Sequence, residues 1–381
     1  MRRPITAALT VVVLAGAGCT STPKPEPTPA TTREGPTGAY VNLPRLTMPR
    51  AAHTATALPD GRVLVAGGCT VDGCGGTPAG GRTELYDPRT RRFAPGPAMV
   101  RARAGHTATA LADGRVLFAG GYPDEGRPPL SSVEIFDPRG GTFTEVATMA
   151  SGRGAHSATR MRDGRVLIVG GVDGTAALST VEIFDPATNR IAAAARLPAP
   201  RATHGAAGLA DGRVLVAGGQ TGVGHGVGLT GTAALYDPTR NAWQRAGDLD
   251  RPTYKLAIAP LPGGGALIVG GQLRDDPAAR LATTEIFDPA TGAFGPGPTM
   301  SEPRYKISDA VVALADGRVV IAGGFGVDVY ADGRLRRVAG GPGVERQFPA
   351  AAPLPGGTVL VTGGYTMRTR VTDSAILVDP T

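Results

Sequence analysis

Lysine is nearly missing from this chain of 381 residues: Lys24, Lys255 and Lys306 are three of its 39 basic side chains. There is no run of basic residues, and the formal charge of +7 falls to +5 without Arg2 and Arg3. Such a balance does not describe a surface for nucleic acid. Cysteine is as scarce, at three, so a metal site built on thiolates lacks ligands. Beyond the N-terminal segment no apolar run approaches the ~20 residues of a membrane span. No stretch has the 3.6-residue periodicity of an amphipathic helix, which excludes a helical bundle. In place of lysine stand arginine, alanine, 57 glycines and 34 prolines, the bias of a G+C-rich genome.

The glycines are ordered. Seven short apolar runs end in a pair: Gly67-Gly68, Gly120-Gly121, Gly170-Gly171, Gly218-Gly219, Gly270-Gly271, Gly323-Gly324 and Gly363-Gly364. Successive pairs are 53, 50, 48, 52, 53 and 40 residues apart, so one unit is repeated along nearly the whole chain. Each unit reads as four strands. Strand a is small and alternating, as in His53 to Leu58. It is followed by a two-residue hairpin signal, Asp60-Gly61, both positions of which tolerate positive φ. Strand b (Val63 to Ala66) is continuously apolar, as for a strand covered on both faces. Strand c carries Glu84 and Tyr86 and stops at Asp87-Pro88. Strand d opens on a large apolar residue: Phe93, Phe143, Ile191, Trp243 or Phe294.

The diglycine, the strand-c aromatic and the aromatic several residues later resemble the kelch repeat. The wording from His53 to Gly68 is similar to bacterial kelch proteins and to the propeller of the galactose oxidase family. This resemblance implies an all-β fold, a seven-bladed kelch β-propeller of four-stranded antiparallel blades over residues 39–381. The last unit stops at Asp379-Pro380-Thr381, before any strand d. Residues 37–40 supply one, because the joined ends mimic the stretch from Asp288 to Phe294. The N-terminal strand d is therefore expected to join the last blade and close the ring, which removes both sheet edges.

Residues 1–18 read as a signal peptide, with Arg2 and Arg3 before a largely apolar stretch from Ile5 to Ala17. Gly16-Ala17-Gly18-Cys19 resembles a bacterial lipobox, which implies lipidation of Cys19. Residues 19–38, rich in Pro and Thr, then form a tether. The expected location is the extracytoplasmic face of the cell membrane, lipid-anchored, or secreted if the lipobox is not used. In that oxidising space Cys69 and Cys74 are expected to form a local disulfide.

In such a propeller the start of strand a and the b–c loop share one face. That face receives a repeated arginine: Arg50, Arg103, Arg153, Arg201, Arg251, Arg304 and Arg346. His53, His106, His156 and His204 follow four of them by three residues. Two readings stay open, a basic rim that grips carboxylates and a repeat contact between blades. Four histidines spread over four blades do not converge on one ion. Positions that break the repeat are the stronger ligand-binding candidates: Tyr254, Lys255, Tyr305, Lys306, Asp309, His225 and Arg368, beside Arg251, His204, Arg304 and Arg346. Glu84, Glu134, Glu182 and Glu285 read as cross-strand partners of arginine.

The expected function is a membrane-tethered binding module for an extracytoplasmic protein or acidic glycan, monomeric, with no cofactor, metal or nucleic acid. The alternative is a metal-free carbohydrate-active kelch enzyme, similar in size to bacterial sialic acid mutarotases, with Glu302, Arg304, Lys306 and Asp309 as candidate groups. A galactose oxidase-like copper oxidase is less expected. That family's copper set uses two Tyr and two His, with one Tyr crosslinked to Cys and another followed by His. Here no Tyr precedes a His.

Overall fold

The computed structural model describes residues 38–72, 81–123, 127–224, 228–339, 345–366 and 369–381. The expected leader, lipobox and tether, with Cys19, fall outside this range except for Gly38. Seven four-stranded antiparallel sheets follow one another in chain order and form a seven-bladed β-propeller. In blade one the strands are a (Thr54–Ala57), b (Val63–Ala66), c (Thr83–Asp87) and d (Arg92–Pro95). Strand a of every blade touches strand a of both neighbours around the whole circle, so the seven a strands surround the axis.

The ring closes as the sequence implies. Ala39–Asn42 pairs with Ala375–Asp379, with Ala39 opposite Asp379 and Tyr40 opposite Val378. Blade five has the same register within one continuous chain, with Ala293 opposite Asp288 and Phe294 opposite Phe287.

Strand b is buried along its length in every blade, because adjacent sheets stack on both of its faces. Leu64, Ala66, Val116, Phe118 and Phe136, for example, join blades one and two in a single apolar cluster. The aromatics of strands c and d meet across the strand pair. Tyr86 and Phe93 have ring centroids 5.0 Å apart, Phe136 and Phe143 4.9 Å, and Tyr236 and Trp243 5.1 Å. The a–b hairpin differs from the expected two-residue turn. Only the glycine has positive φ (Gly61, 87°), with Gly61 N bonded to Leu58 O and Leu58 N to Arg62 O. This is a type I turn closed by a left-handed bulge, and the Asp60 carboxylate accepts from Arg62 N at 3.0 Å.

Both glycines of each pair have positive φ. The second donates its N–H to the next blade, Gly68 to Arg103 O at 3.0 Å, and the seventh, Gly364 to Arg50 O at 2.8 Å, closes the circle. A Cβ on Gly67 would lie 2.4 Å from that same Arg103 oxygen, so only glycine fits.

The arginine at this stitch is buried inside its own blade. Arg103 donates to Gly120 O at 2.7 Å, seventeen residues on, and pairs with Glu134 at 2.6 Å, both side chains fully buried. Arg50 with Glu84, Arg153 with Glu182 and Arg304 with Asp328 repeat the arrangement. In blades four and seven the carboxylate is replaced by Ala234 and Ile376, and burial lowers Arg201 and Arg346 to about 10. Blade five is the converse. Thr253 accepts the stitch from Gly219 in place of arginine, and Glu285 has no buried guanidinium to pair with: burial raises its pKa against the Asp250 N–H that it accepts and the exposed Arg251. A small cavity between Thr253 and Glu285 marks the missing side chain.

The four histidines bridge neighbouring blades. His106 Nε2 meets Thr54 Oγ1 at 3.1 Å, His156 meets Thr107 at 3.0 Å, His204 meets Ser157 at 2.8 Å and His53 meets Thr362 at 2.8 Å. Burial lowers all four, His106 and His204 to about 3.

Two predictions follow from this interior. Glu134→Gln leaves Arg103 buried without its counter-charge and is expected to cost about 3–5 kcal/mol in denaturant unfolding. Glu285→Gln, with no arginine to strand, is expected to change stability by about 0.5 kcal/mol or less; equal costs for the two would refute this account. The second concerns acid. Unfolded histidines protonate near pH 6.5 and the folded ones only well below it, so the unfolded chain takes up more protons as pH falls. Stability should therefore drop between pH 6.5 and 5, by up to about 1.4 kcal/mol per pH unit for each histidine. His106→Gln should reduce that slope by one proton's worth, whereas an unchanged slope would show that His106 is protonated in the fold.

Candidate functional site

At the start of each strand a one residue takes the left-handed conformation: Ala52, Gly105, Ala155, Thr203, Lys255, Lys306 and Phe348, with φ between 51° and 59°. For a residue with a side chain this costs roughly 1–2 kcal/mol. A circle of backbone hydrogen bonds holds it in place. Gly105 N donates to Ala52 O, Lys255 N to Thr203 O, Lys306 N to Lys255 O, Phe348 N to Lys306 O and Ala52 N to Phe348 O, at 2.8–3.2 Å. With Thr203 N on Ala155 O, six of the seven junctions are joined in this way. The collar rims the channel mouth. On one side it carries Ala, Gly and Ala; on the other it carries two lysines and a phenylalanine.

The lysine side is built with aromatic rings. Lys255 Nζ stands 4.4 Å from the centroid of Tyr254, and Lys306 Nζ lies 5.0 Å from both Tyr305 and Phe348. These are distances of cation–π contact. Neither lysine forms an ion pair with a carboxylate of the described residues. Burial, then Lys255, lowers Lys306 to about 8, and burial lowers Lys255 as well. Around them Arg280 stacks on Tyr305 at 4.2 Å and pairs with Glu345 at 2.9 Å. Tyr305 Oη accepts from Arg280 at 3.0 Å and donates to Gln347 Oε1 at 2.7 Å. Arg280 Nε, Glu345 Oε2, Gln272 Oε1 and Tyr365 Oη are buried here without a hydrogen-bond partner in the described structure. Burial raises Tyr365 to about 12. This is a polar, cationic half-ring whose groups are only partly satisfied by one another, and it suits an anionic ligand.

Asp309 lies deeper. The spacing from ring arginine to first glycine is seventeen residues in blades one to four and seven, but nineteen in blade six. The two extra residues, Ser308 and Asp309, sit in a 3-10 turn, Ser308–Ala310, packed against strand a of blades five and seven. Asp309 is exposed to solvent in a turn that the flanking a strands crowd from both sides. That crowding raises its carboxyl to about 6, with Ser308 Oγ donating at 3.1 Å.

The structure thus gathers Tyr254, Lys255, Tyr305 and Lys306, places Asp309 in the channel, and separates the rest. Arg304, Arg346 and His204 are consumed by contacts within and between blades. Arg251 does not belong to the ring: it is exposed beside Asp250 at 3.5 Å, and Thr253 holds the repeat position two residues on. His225 and Arg368 lie outside the described residues, as does Cys74. Cys69 is disulfide-bonded, and the other half of the bond falls outside that range. Among the described residues no group of three His, Cys, Asp or Glu could hold a metal ion. Sequence reasoning missed Arg280, Glu345, Gln347 and Tyr365. Gln272 and Tyr365 each directly follow a diglycine, a position that could have marked them.

Comparison with known proteins agrees with this architecture. The kelch motif is matched at residues 102–150 and 153–190, which span blades two and three. A solved structure titled "Structure of YjhT" superposes with a TM-score of 0.55 at 13% identity, covering 88% of this chain and 96% of that one. At that identity the two share a fold. No curated protein sequence matches the chain. The chain is a seven-bladed β-propeller carrying kelch motifs.

Proposed function

We propose that this propeller is a binding module that takes a carboxylate-bearing ligand, an acidic glycan or an acidic protein segment, at the lysine side of its mouth. The observation that carries the reading is the pair of half-buried lysines held by the collar against Tyr254, Tyr305 and Phe348. Most other repeated cations of this face are spent inside the blades, so these two are what the mouth offers an anion. Desolvation beside aromatic rings strengthens such a contact relative to one in open water. The sequence features of residues 1–38 support a lipid-anchored, extracytoplasmic location for the module.

The alternative, a metal-free carbohydrate-active enzyme, has one observation in its favour. Asp309 is a channel carboxyl with its pKa raised to about 6, and a general acid or base works best with a pKa near the working pH. Anomer interconversion of a sugar acid, followed by polarimetry and abolished by Asp309→Asn, would select this reading over simple binding.

The test of the binding reading is a thermal-shift and calorimetric comparison of uronic and sialic acids with neutral sugars. A ligand at about 100 times its Kd stabilises the native state by roughly 2.7 kcal/mol. Stabilisation by the acids alone is expected, with Lys306→Ala weakening binding at least about tenfold, the worth of one charge-assisted contact. Affinity should also fall as pH rises from 7 to 9, because Lys306 loses its proton near 8. Acid binding that survives in a Lys255→Ala/Lys306→Ala variant would overturn the assignment.

A further inference from the structure

The face opposite the mouth carries the a–b hairpins and the c–d turns. In blades one to four and six each hairpin reads Asp-Gly-Arg. Two of these arginines cross to the next blade: Arg115 Nη2 donates to Pro186 O at 2.7 Å and Arg213 Nη2 to Pro289 O at 3.0 Å. Each is held from behind by its own hairpin carboxylate, Asp113 at 2.7 Å and Asp211 at 2.6 Å. Their side chains are only 24% and 26% exposed, so they fill the furrow between neighbouring turns.

Blade five departs from this pattern. Its hairpin is Gly263-Gly264-Gly265, and the furrow between blades five and six is an open groove of about 640 Å3. The chain could not supply its own arginine there, because a Cβ on Gly265 would stand 2.5 Å from Phe287 O. The walls carry Phe287 and Tyr330 and three carboxylates, Asp288, Asp316 and Asp332. Against these stands one cation, Arg318, folded back on Asp316 at 2.6 Å. Asp332 follows strand c at the point where Pro186 and Pro289 receive their arginines. It has φ of 49° and offers both a carbonyl and a carboxylate.

We propose that this groove is a docking site for an arginine side chain of a partner protein, which takes the place that Arg115 and Arg213 occupy at their own blade junctions. The groove has the acceptor, the apolar walls and the net negative charge for a guanidinium. The planar fork of arginine can bond a carbonyl and a carboxylate together, which the point charge of lysine does not reproduce.

The experiment titrates the intact propeller with N-acetyl-arginine amide and with its neutral isostere, N-acetyl-citrulline amide, followed by NMR and calorimetry. For so small a probe the expected Kd is roughly millimolar. The citrulline probe should bind at least about tenfold more weakly, and binding of the arginine probe should weaken with salt. Asp332→Asn, which keeps a residue at ease in the left-handed region, should also cost about tenfold. Lys306→Ala, at the other face, should leave the affinity unchanged. Equal binding of the two probes by the wild-type protein, no saturable binding, or an unaffected Asp332→Asn variant would each overturn the assignment.

Discussion

One backbone hydrogen bond at each blade junction supports everything else in this molecule. The second glycine of a diglycine donates to the carbonyl of the ring residue in the next blade, as Gly121 does to Arg153. In six blades that ring residue is an arginine whose guanidinium reaches the first glycine's carbonyl in its own blade. A single side chain thereby couples one stitch to the next. The arginine is costly to bury, and in four blades a strand-c carboxylate compensates it directly. This use of the charge explains why a ring of basic residues around the channel mouth presents so little positive surface.

The same stitches determine what the mouth can display. With the backbone held in a circle of left-handed residues, the side chain at that position differs from blade to blade. Where the repeat keeps Ala52, Gly105 and Ala155 the rim is bare. At Lys255, Lys306 and Phe348 the chain has placed a chemistry that the fold does not require, beside Tyr254, whose backbone the repeat holds through Gln272, and Tyr305, whose hydroxyl is held by Arg280 and Gln347. A site of this kind differs from a loop site in rigidity, since neighbouring blades fix its Cα positions.

Much of this was legible in the sequence. Diglycines and Asp-Pro turns mark strand ends by chemistry that tolerates few substitutes, and the two incomplete ends of the chain complement each other residue for residue. The candidates chosen for breaking the repeat, Lys255 and Lys306 with their tyrosines, come together in space. Residue type misled where spacing would not have: Arg251 looks like a ring member, yet counting seventeen residues back from Gly270 reaches Thr253. The same count exposes the two extra residues that carry Asp309 into the channel. The Arg280, Glu345 and Gln347 network was not legible. It joins loops from separate blades, and nothing local in any one of them records the others.

The latch between Ala39–Asn42 and Ala375–Asp379 has a kinetic side. Each blade but the last is assembled from contacts near in sequence, whereas this one joins segments at the two extremes of the propeller. Loop closure over such a separation is slow, and until it happens the last blade lacks its outer strand and leaves the edge of Ala375–Asp379 unpaired. An open ring is thus the species most exposed to pairing with another open ring, exchanging one copy's first strand for its neighbour's. The strand that seals the mature propeller is also the one through which two nascent propellers could become linked.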